Sequence, residues 1–284
     1  MKLTFLLLFI LTSLAAETKL VGYLPSYRNL DIQKTDLLTD LILFSIEPQK
    51  DGLLKKDETL LTLLEKVKAV KNCRKFICVG GWGKSDNFKH VSLDPKVRKK
   101  FISTIVKFVK HYELDGVDYD WEHPKNKEEE KAYELLIKET AEQGIKVSMA
   151  AAGWQKFTPE VFKHLFAVNL MSYDHPEEHS TVKSAQADIN DFVKMGCPPE
   201  KINLGVPFYG RHVKNRKAKS YNTLKIIDKS SDIVDGYYFN NLETLAKKVA
   251  LLKKEKLSGI MIWEIEQDDK KMTLLKSLSK MIKP

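Results

Sequence analysis

The chain has only three cysteines, Cys73, Cys78 and Cys197. An odd count leaves at least one thiol unpaired, and so few sulfurs exclude a disulfide scaffold, so the core must supply most of the stability. No Cys/His cluster has the spacing of a zinc site, and no Asn-X-Ser/Thr sequon occurs. No Gly-rich phosphate turn follows the first strand-like run, which leads instead into GYLPSYR (22–28). No internal repeat or low-complexity linker suggests a second domain. The 47 Lys and Arg outnumber the 38 Asp and Glu, a formal charge of +9. That excess is spread along the chain, mostly as Lys, rather than clustered with aromatics. It favours solubility and loose attraction to acidic surfaces, and speaks against a nucleic-acid partner.

Long apolar runs are scarce too. The one at the start, MKLTFLLLFILTSLAAE, has a basic Lys2, an apolar stretch from Leu3 to Leu14, and small residues at Ser13, Ala15 and Ala16. This pattern predicts a secretory signal peptide over residues 1–16, cleaved after Ala15 or Ala16, and a mature domain over 17–284. The run is too short to span a bilayer comfortably. The closing SLSKMIKP carries no retention tetrapeptide or anchor tail. The expectation is a soluble, secreted, extracellular protein with no membrane partner.

What the chain does have is alternation. Strand-like runs occur at 19–24, 40–46, 75–80, 114–121, 145–151, 165–173, 201–210 and 258–265. They are nearly continuously apolar, as strands covered on both faces should be. Helical spacing of apolar residues marks 59–70, 95–112, 127–143 and 241–257 between them. Eight such strands in a chain of 284 residues predict an α/β fold, a single-domain (β/α)8 TIM barrel. The rival, an open doubly wound sheet, lacks its phosphate turn. The Lys-rich 245–257 segment reads as the solvated face of an outer helix with Leu242, Leu245, Val249 and Leu252 inward, rather than as a membrane surface.

A barrel enzyme builds its site at the C-terminal ends of its strands. All four tryptophans, Trp82, Trp121, Trp154 and Trp263, fall at that end, which predicts a cavity lined by flat aromatic faces suited to sugar rings. Residues 115–124 read DGVDYDWEHP. Alternate residues of a strand share a face, roughly 6.6 Å apart, so Asp118, Asp120 and Glu122 form one inward row reaching the mouth at Glu122. Three carboxyls so close cannot all ionise cheaply, so at least one keeps a proton near neutrality. A protonated carboxyl beside an ionised one suits glycosidic cleavage. A calcium loop does not fit, because the position needing Gly holds His123. HPEEH (175–179) matches a zinc-protease pattern literally, but it follows a strand directly, contains Pro176 and lies in a polar run, not on a helix.

DGVDYDWE (115–122) resembles the DGxDxDxE signature of glycoside hydrolase family 18, the chitinases and their relatives. The resemblance extends over the mature chain: VGYLPSY (21–27), CVGGW (78–82), NLMSYD (169–174), GVPFYGR (205–211) and GIMIWEIEQDD (259–269) are each similar to a family strand end. It implies retaining, substrate-assisted hydrolysis of β-1,4-linked N-acetylglucosamine. Glu122 would be the general acid. The substrate's acetamido oxygen would attack the anomeric carbon to form an oxazolinium ion. Asp120 would orient that acetamido group, Asp118 would share a proton with Asp120, and Tyr173 would hydrogen-bond the acetamido oxygen with Asp174 in support. Trp263 would floor the pocket. Tyr23, Phe44, Gly80, Gly81, Trp82, His123, Met171 and Arg211 would complete the cleft. No metal or organic cofactor is implied. The implied partner is chitin or chito-oligosaccharides, met by a monomer.

The sequence departs from the family at three places. Cys78 stands where Ser is usual; a weaker donor there would shift the pKa of Asp118 and lower the rate. His123 follows the acid where many members have Tyr. The segment from Arg211 to about Tyr238 is short, so the family's α+β insertion domain is absent and the groove should be open, favouring endo-type or short-oligomer cleavage. Two other functions fit the same residues: a non-catalytic chitin-binding lectin, and an endo-N-acetylglucosaminidase acting on N-glycans. Peptidoglycan is a further substrate to weigh.

Overall fold

Each barrel strand is apolar on both faces or alternates between them, and this decides where its side chains go. The computed structural model describes residues 17–176, 178–224 and 231–283; the predicted signal peptide lies outside them. The first seven strands are β1 (Lys19–Pro25), β2 (Asp40–Ile46), β3 (Arg74–Gly80), β4 (Gly116–Asp120), β5 (Lys146–Ala152), β6 (Ala167–Met171) and β7 (Ile202–Pro207). Four short strands follow, β8 (Tyr209–His212), β9 (Ala218–Ser220), β10 (Ile233–Val234) and β11 (Tyr237–Tyr238), and then β12 (Gly259–Trp263). β1 to β7 and β12 close, all parallel, into an eight-stranded barrel in which β12 sits between β1 and β7. This is the predicted (β/α)8 architecture. β2, DLILFSI, is buried along its whole length, as a strand between a barrel interior and a helix layer must be.

The helices are α1 (Ile32–Thr35), α2 (Glu58–Val67), α3 (Phe88–Leu93), α4 (Pro95–His111), α5 (Lys127–Ala141), α6 (Val161–His164), α7 (Val182–Lys194), α8 (Leu242–Glu255) and α9 (Thr273–Ile282). Their starts are chemically marked. Asp94 accepts from the backbone N–H of Lys96 and Val97 with Pro95 in the first turn of α4, and Asn126 caps α5 ahead of three glutamates. α7 and α9 were not among the helices expected. The inner face of α7 is Ala185, Asp188, Ile189 and Phe192, a stripe weakened by a buried carboxylate.

Three expectations need correction. The predicted run 201–210 is two strands: it breaks at Phe208, and β8 leaves the barrel for a small antiparallel sheet ordered β10-β11-β8-β9. This sheet occupies the place where an insertion domain would stand, and among the described residues no such domain is present. Trp121 does not line a cavity. It is buried in the helix layer, stacked on Phe88 (centroids 5.3 Å apart, 11° between planes) and edge-on to Tyr133. In α8, Leu245, Val249 and Leu252 face inward as expected, but so does Lys248, which is fully buried and donates to Ser180 Oγ at 2.6 Å. Burial pulls the Lys248 ammonium down to about 7.

Cis peptide bonds precede Ser45, His123 and Glu264, each at the C-terminal end of a barrel strand. Among the described residues no helix is long and apolar enough to cross a membrane.

Candidate active site

The alternation of β4 builds the centre of the site. Val117 and Tyr119 point into the helix layer and leave Asp118 and Asp120 facing the barrel axis, with Glu122 just beyond the strand end. The three carboxyls sit at different depths and in different company.

Asp118, at the bottom, is fully buried. Its oxygens accept from the Tyr23 hydroxyl at 2.7 Å, the Ser148 hydroxyl at 2.5 Å and the Asn169 amide at 2.9 Å. Burial pushes its pKa up, these donors and the Cys78 thiol beside it pull it back, and the balance is a raised value of about 6. Cys78 thus stands at the flank of Asp118 expected of it. Among the described residues no hydrogen bond joins Asp118 to Asp120 directly.

Asp120 is buried, yet its Oδ1 has no partner. Burial raises its pKa well above the usual range, and the charges of Glu122 and Asp118 raise it further. A buried carboxyl oxygen left unpaired is costly, and Asp120 is one of the residues that line the cavity. Glu122 is at the mouth. Burial and then the charge of Asp174 raise it to about 7, against a hydrogen bond from the Trp82 backbone N–H. Its own backbone N–H is fixed by the Ser85 hydroxyl at 3.0 Å. The Nε2 of His123 lies 3.6 Å from its carboxyl, and burial lowers the pKa of that imidazole.

These groups open on a cavity of about 770 Å³. Tyr23, Phe44, Trp82, His123, Met171, Tyr173, Asp174, Arg211 and Trp263 line it with Asp120 and Glu122, so the structure brings together most of the residues anticipated. The Trp263 ring is packed edge-on against Phe44 at 4.7 Å and tilted against Tyr23 at 5.5 Å. Trp82 and Trp154 are exposed, and Trp154 stands edge-on to His123. The Tyr173 hydroxyl donates to the sulfur of Met261 at 3.9 Å. Gly80 and Gly81 lie behind the lining and not in it. A Cβ on Gly81 would stand 2.3 Å from the Phe44 ring, and its φ of +92° suits only glycine.

Asp174 takes a left-handed φ of 63°. It is clamped by both Nε and a terminal nitrogen of Arg211, accepts from the Tyr209 hydroxyl at 2.7 Å, and has His179 beside it. Burial pushes its pKa up, but these partners outweigh that and hold it well below the usual carboxylate range. Arg216 donates to the backbone carbonyls of Asp174 and His175, tying the small sheet to the loop after β6. The two histidines of HPEEH turn to different partners, His175 to Asp188 at 2.9 Å and His179 to Asp174. Among the described residues no group of three or more His, Cys, Asp or Glu is placed to hold a metal ion.

Tyr27, Lys84, His175, Tyr209, Arg216 and Gln267 also line the cavity and were not anticipated as site residues. Tyr27, Tyr209 and Gln267 lay inside VGYLPSY, GVPFYGR and GIMIWEIEQDD, and His175 inside HPEEH, whereas Lys84 and Arg216 had no signal.

A closed parallel barrel carrying a graded row of carboxyls under an aromatic cleft has the chemistry of a glycoside hydrolase. The chain belongs to the glycosyl hydrolases family 18, whose sequence profile matches residues 19–268. It is 26% identical over 267 residues to endochitinase 1 of Metarhizium robertsii, covering 71% of this chain and 63% of that one. It is 22% identical over 269 residues to probable chitinase 2 of Drosophila melanogaster, covering 68% and 56%. The chain thus spans less than two thirds of the length of either relative. A family 18 chitinase from the chitin utilization locus of Flavobacterium johnsoniae superposes with a TM-score of 0.79 at 25% identity, covering 94% of both chains.

Proposed function

We propose that the protein is a secreted chitinase that hydrolyses β-1,4 linkages between N-acetylglucosamine units with retention, using the substrate's own acetamido group. The observation that carries this reading is the contrast within one row. Glu122 holds a proton to about pH 7 at the cleft mouth, while Asp120 keeps an unpartnered buried oxygen one strand repeat deeper.

Glu122 protonates the oxygen of the leaving sugar as the glycosidic bond breaks. The acetamido oxygen attacks the anomeric carbon, so no side-chain nucleophile is required. Asp120 accepts the acetamido N–H on its free oxygen and faces the positive oxazolinium, and the Tyr173 hydroxyl donates to the acetamido oxygen. Asp118 acts on Asp120 from below through its charge. The sugar rests on Trp263. Water then opens the oxazolinium, with Glu122 returning as base. Residues 1–16 direct export and are removed, and the mature enzyme works as a monomer on chitin or chito-oligosaccharides.

The test is hydrolysis of an N-acetylglucosamine hexamer by the mature protein beside Glu122→Gln, with a high-mannose glycopeptide as a second substrate. Cleavage of the hexamer, lost in the variant by about 10²–10⁴-fold, is expected. Binding without cleavage makes the protein a lectin, and cleavage of the glycopeptide alone moves the substrate to N-glycans.

A further inference from the structure

Tyr173 and Asp174 are consecutive, yet both line the cleft. Neighbours in an extended chain face opposite ways, and the end of β6 obeys this. Met171 and Tyr173 line the cavity, while Ser172 between them is buried behind it. By the same alternation Asp174 should turn away. Its left-handed φ of 63° brings it back to the cleft. A residue with a Cβ holds that conformation at a cost, and only where the chain on either side is fixed.

The fixing point is on α7. Ser172 and His175, the two residues that bracket Tyr173 and Asp174, meet at one atom, Oδ2 of Asp188. The Ser172 hydroxyl donates to it at 2.6 Å, and Nε2 of His175 lies 2.9 Å from it. An ionised carboxylate only accepts, so His175 carries a proton on Nε2. Asp188 is 7% exposed, and a Cβ on Gly153 would collide with its Oδ1. Gly153 lines the cleft, so the carboxyl stands directly behind the cleft wall. The carbonyl of Ser172 is held as well, by the Ser180 hydroxyl at 2.8 Å, which in turn accepts from the buried Lys248. A carboxylate buried on a helix face otherwise made of Ala185, Ile189 and Phe192 is costly unless hydrogen-bonded, and both of these bonds go to the loop after β6.

We propose that Asp188 is a positioning residue for the reaction: by clasping Ser172 and His175 on one oxygen, it holds Tyr173 and Asp174 together at the cleft. The clasp rests on the hydrolase reading above and touches no substrate. It works through the two residues it brackets. Arg211 and Arg216 hold the same loop from the side of the small sheet, and Asp188 holds it from the side of the helix layer. With the clasp loosened, the Tyr173 hydroxyl loses its aim at the acetamido oxygen, and Asp174 drifts from Glu122.

The experiment is a double-variant cycle on an N-acetylglucosamine hexamer, with Asp188→Asn, Tyr173→Phe and the two combined. Asp188→Asn keeps the shape and removes the charge that strengthens both bonds. At pH 5 Glu122 is protonated whether or not Asp174 is near, so the cycle there reads Tyr173. Asp188→Asn should lower kcat by about tenfold or more, the scale of a reacting group misplaced by part of an ångström, with little change in KM. In Tyr173→Phe the same change should cost less than about twofold, because the hydroxyl it would misplace is already gone. The basic limb of the kcat/KM profile of Asp188→Asn should also move down, as Asp174 ceases to oppose ionisation of Glu122. A carboxylate that merely stabilises the fold would lower the unfolding midpoint and move neither readout. An unchanged kcat, losses that add in the double variant, or a basic limb that stays put overturns the proposal. If Asp188→Asn does not fold, Ser172→Ala removes one of the two donors from the same oxygen and is read in the same way. Failure of wild type to cut the hexamer would sink the hydrolase reading and the clasp with it; a wild type that cuts, with additive losses, would sink only the clasp.

Discussion

The ionised carboxylate of Asp174 helps keep the carboxyl of Glu122 protonated. Burial raises Glu122 most, and Asp174 adds to it. Asp174 can remain an anion there because Arg211 and Tyr209 hold it. The general acid works only when protonated, so kcat/KM should fall as pH rises through about 7. Asp174→Asn removes the anion and frees the Arg211 cation, and both changes ease ionisation of Glu122. The basic limb should move down by about one pH unit. A pH profile of kcat/KM checks this; a limb that stays put would separate Asp174 from the acid.

The raised pKa of Glu122 has a cost to stability. Glu122 binds more protons folded than unfolded between its ordinary pKa and about 7, so it lowers stability as pH rises through that window. Above it the loss is complete. Glu122→Gln should therefore unfold later than wild type at pH 8, by about 2 kcal/mol, and lose most of that advantage at pH 4. Denaturant titrations at the two pH values measure the difference.

The thiol of Cys78 is a weak donor beside Asp118, and burial raises its own pKa. A hydroxyl in its place should donate more strongly and hold Asp118 further below about 6. A firmer anion under Asp120 favours the positive oxazolinium. Cys78→Ser should raise kcat by about fivefold or less, the scale of one hydrogen bond of ~1 kcal/mol. Carboxyl carbon NMR of Asp118 should show the lowered titration; a slower enzyme with unchanged titration would contradict the role given to this position.

Gly81 tests the floor of the cleft from behind. A methyl there would stand 2.3 Å from the Phe44 ring at a φ no other residue adopts easily. Gly81→Ala should lose about 2–4 kcal/mol of stability and displace Phe44 from Trp263. Its fluorescence and KM for chito-oligosaccharides should change together, whereas Gly83→Ala, with open space around it, should spare the Trp263 pocket.

The barrel was legible because its strands are buried on both faces, so that runs such as DLILFSI stand out against Lys-rich helices. The row of carboxyls was legible from parity alone. Parity also places Trp121 with Val117 and Tyr119, facing out; grouping it with the cleft tryptophans followed its position at the strand end and ignored its face. The polar network was not legible. Lys248 finds Ser180 across 68 residues of sequence, and Arg211 finds Asp174 across 37. No local pattern announces such pairs. Lys84 was hidden for a related reason: one lysine among many, its place at the cleft set only by its contacts with Phe44 and Ser45.

The most direct measurement is the anomeric form of the first products, followed by proton NMR while the wild-type enzyme cleaves an N-acetylglucosamine hexamer. Substrate-assisted attack inverts the anomeric carbon twice, so the new reducing ends should appear as the β-anomer and drift to the equilibrium mixture only later. New ends that first appear as the α-anomer would mean that water attacks directly, and the roles given to Asp120, Tyr173 and the acetamido group would fall together.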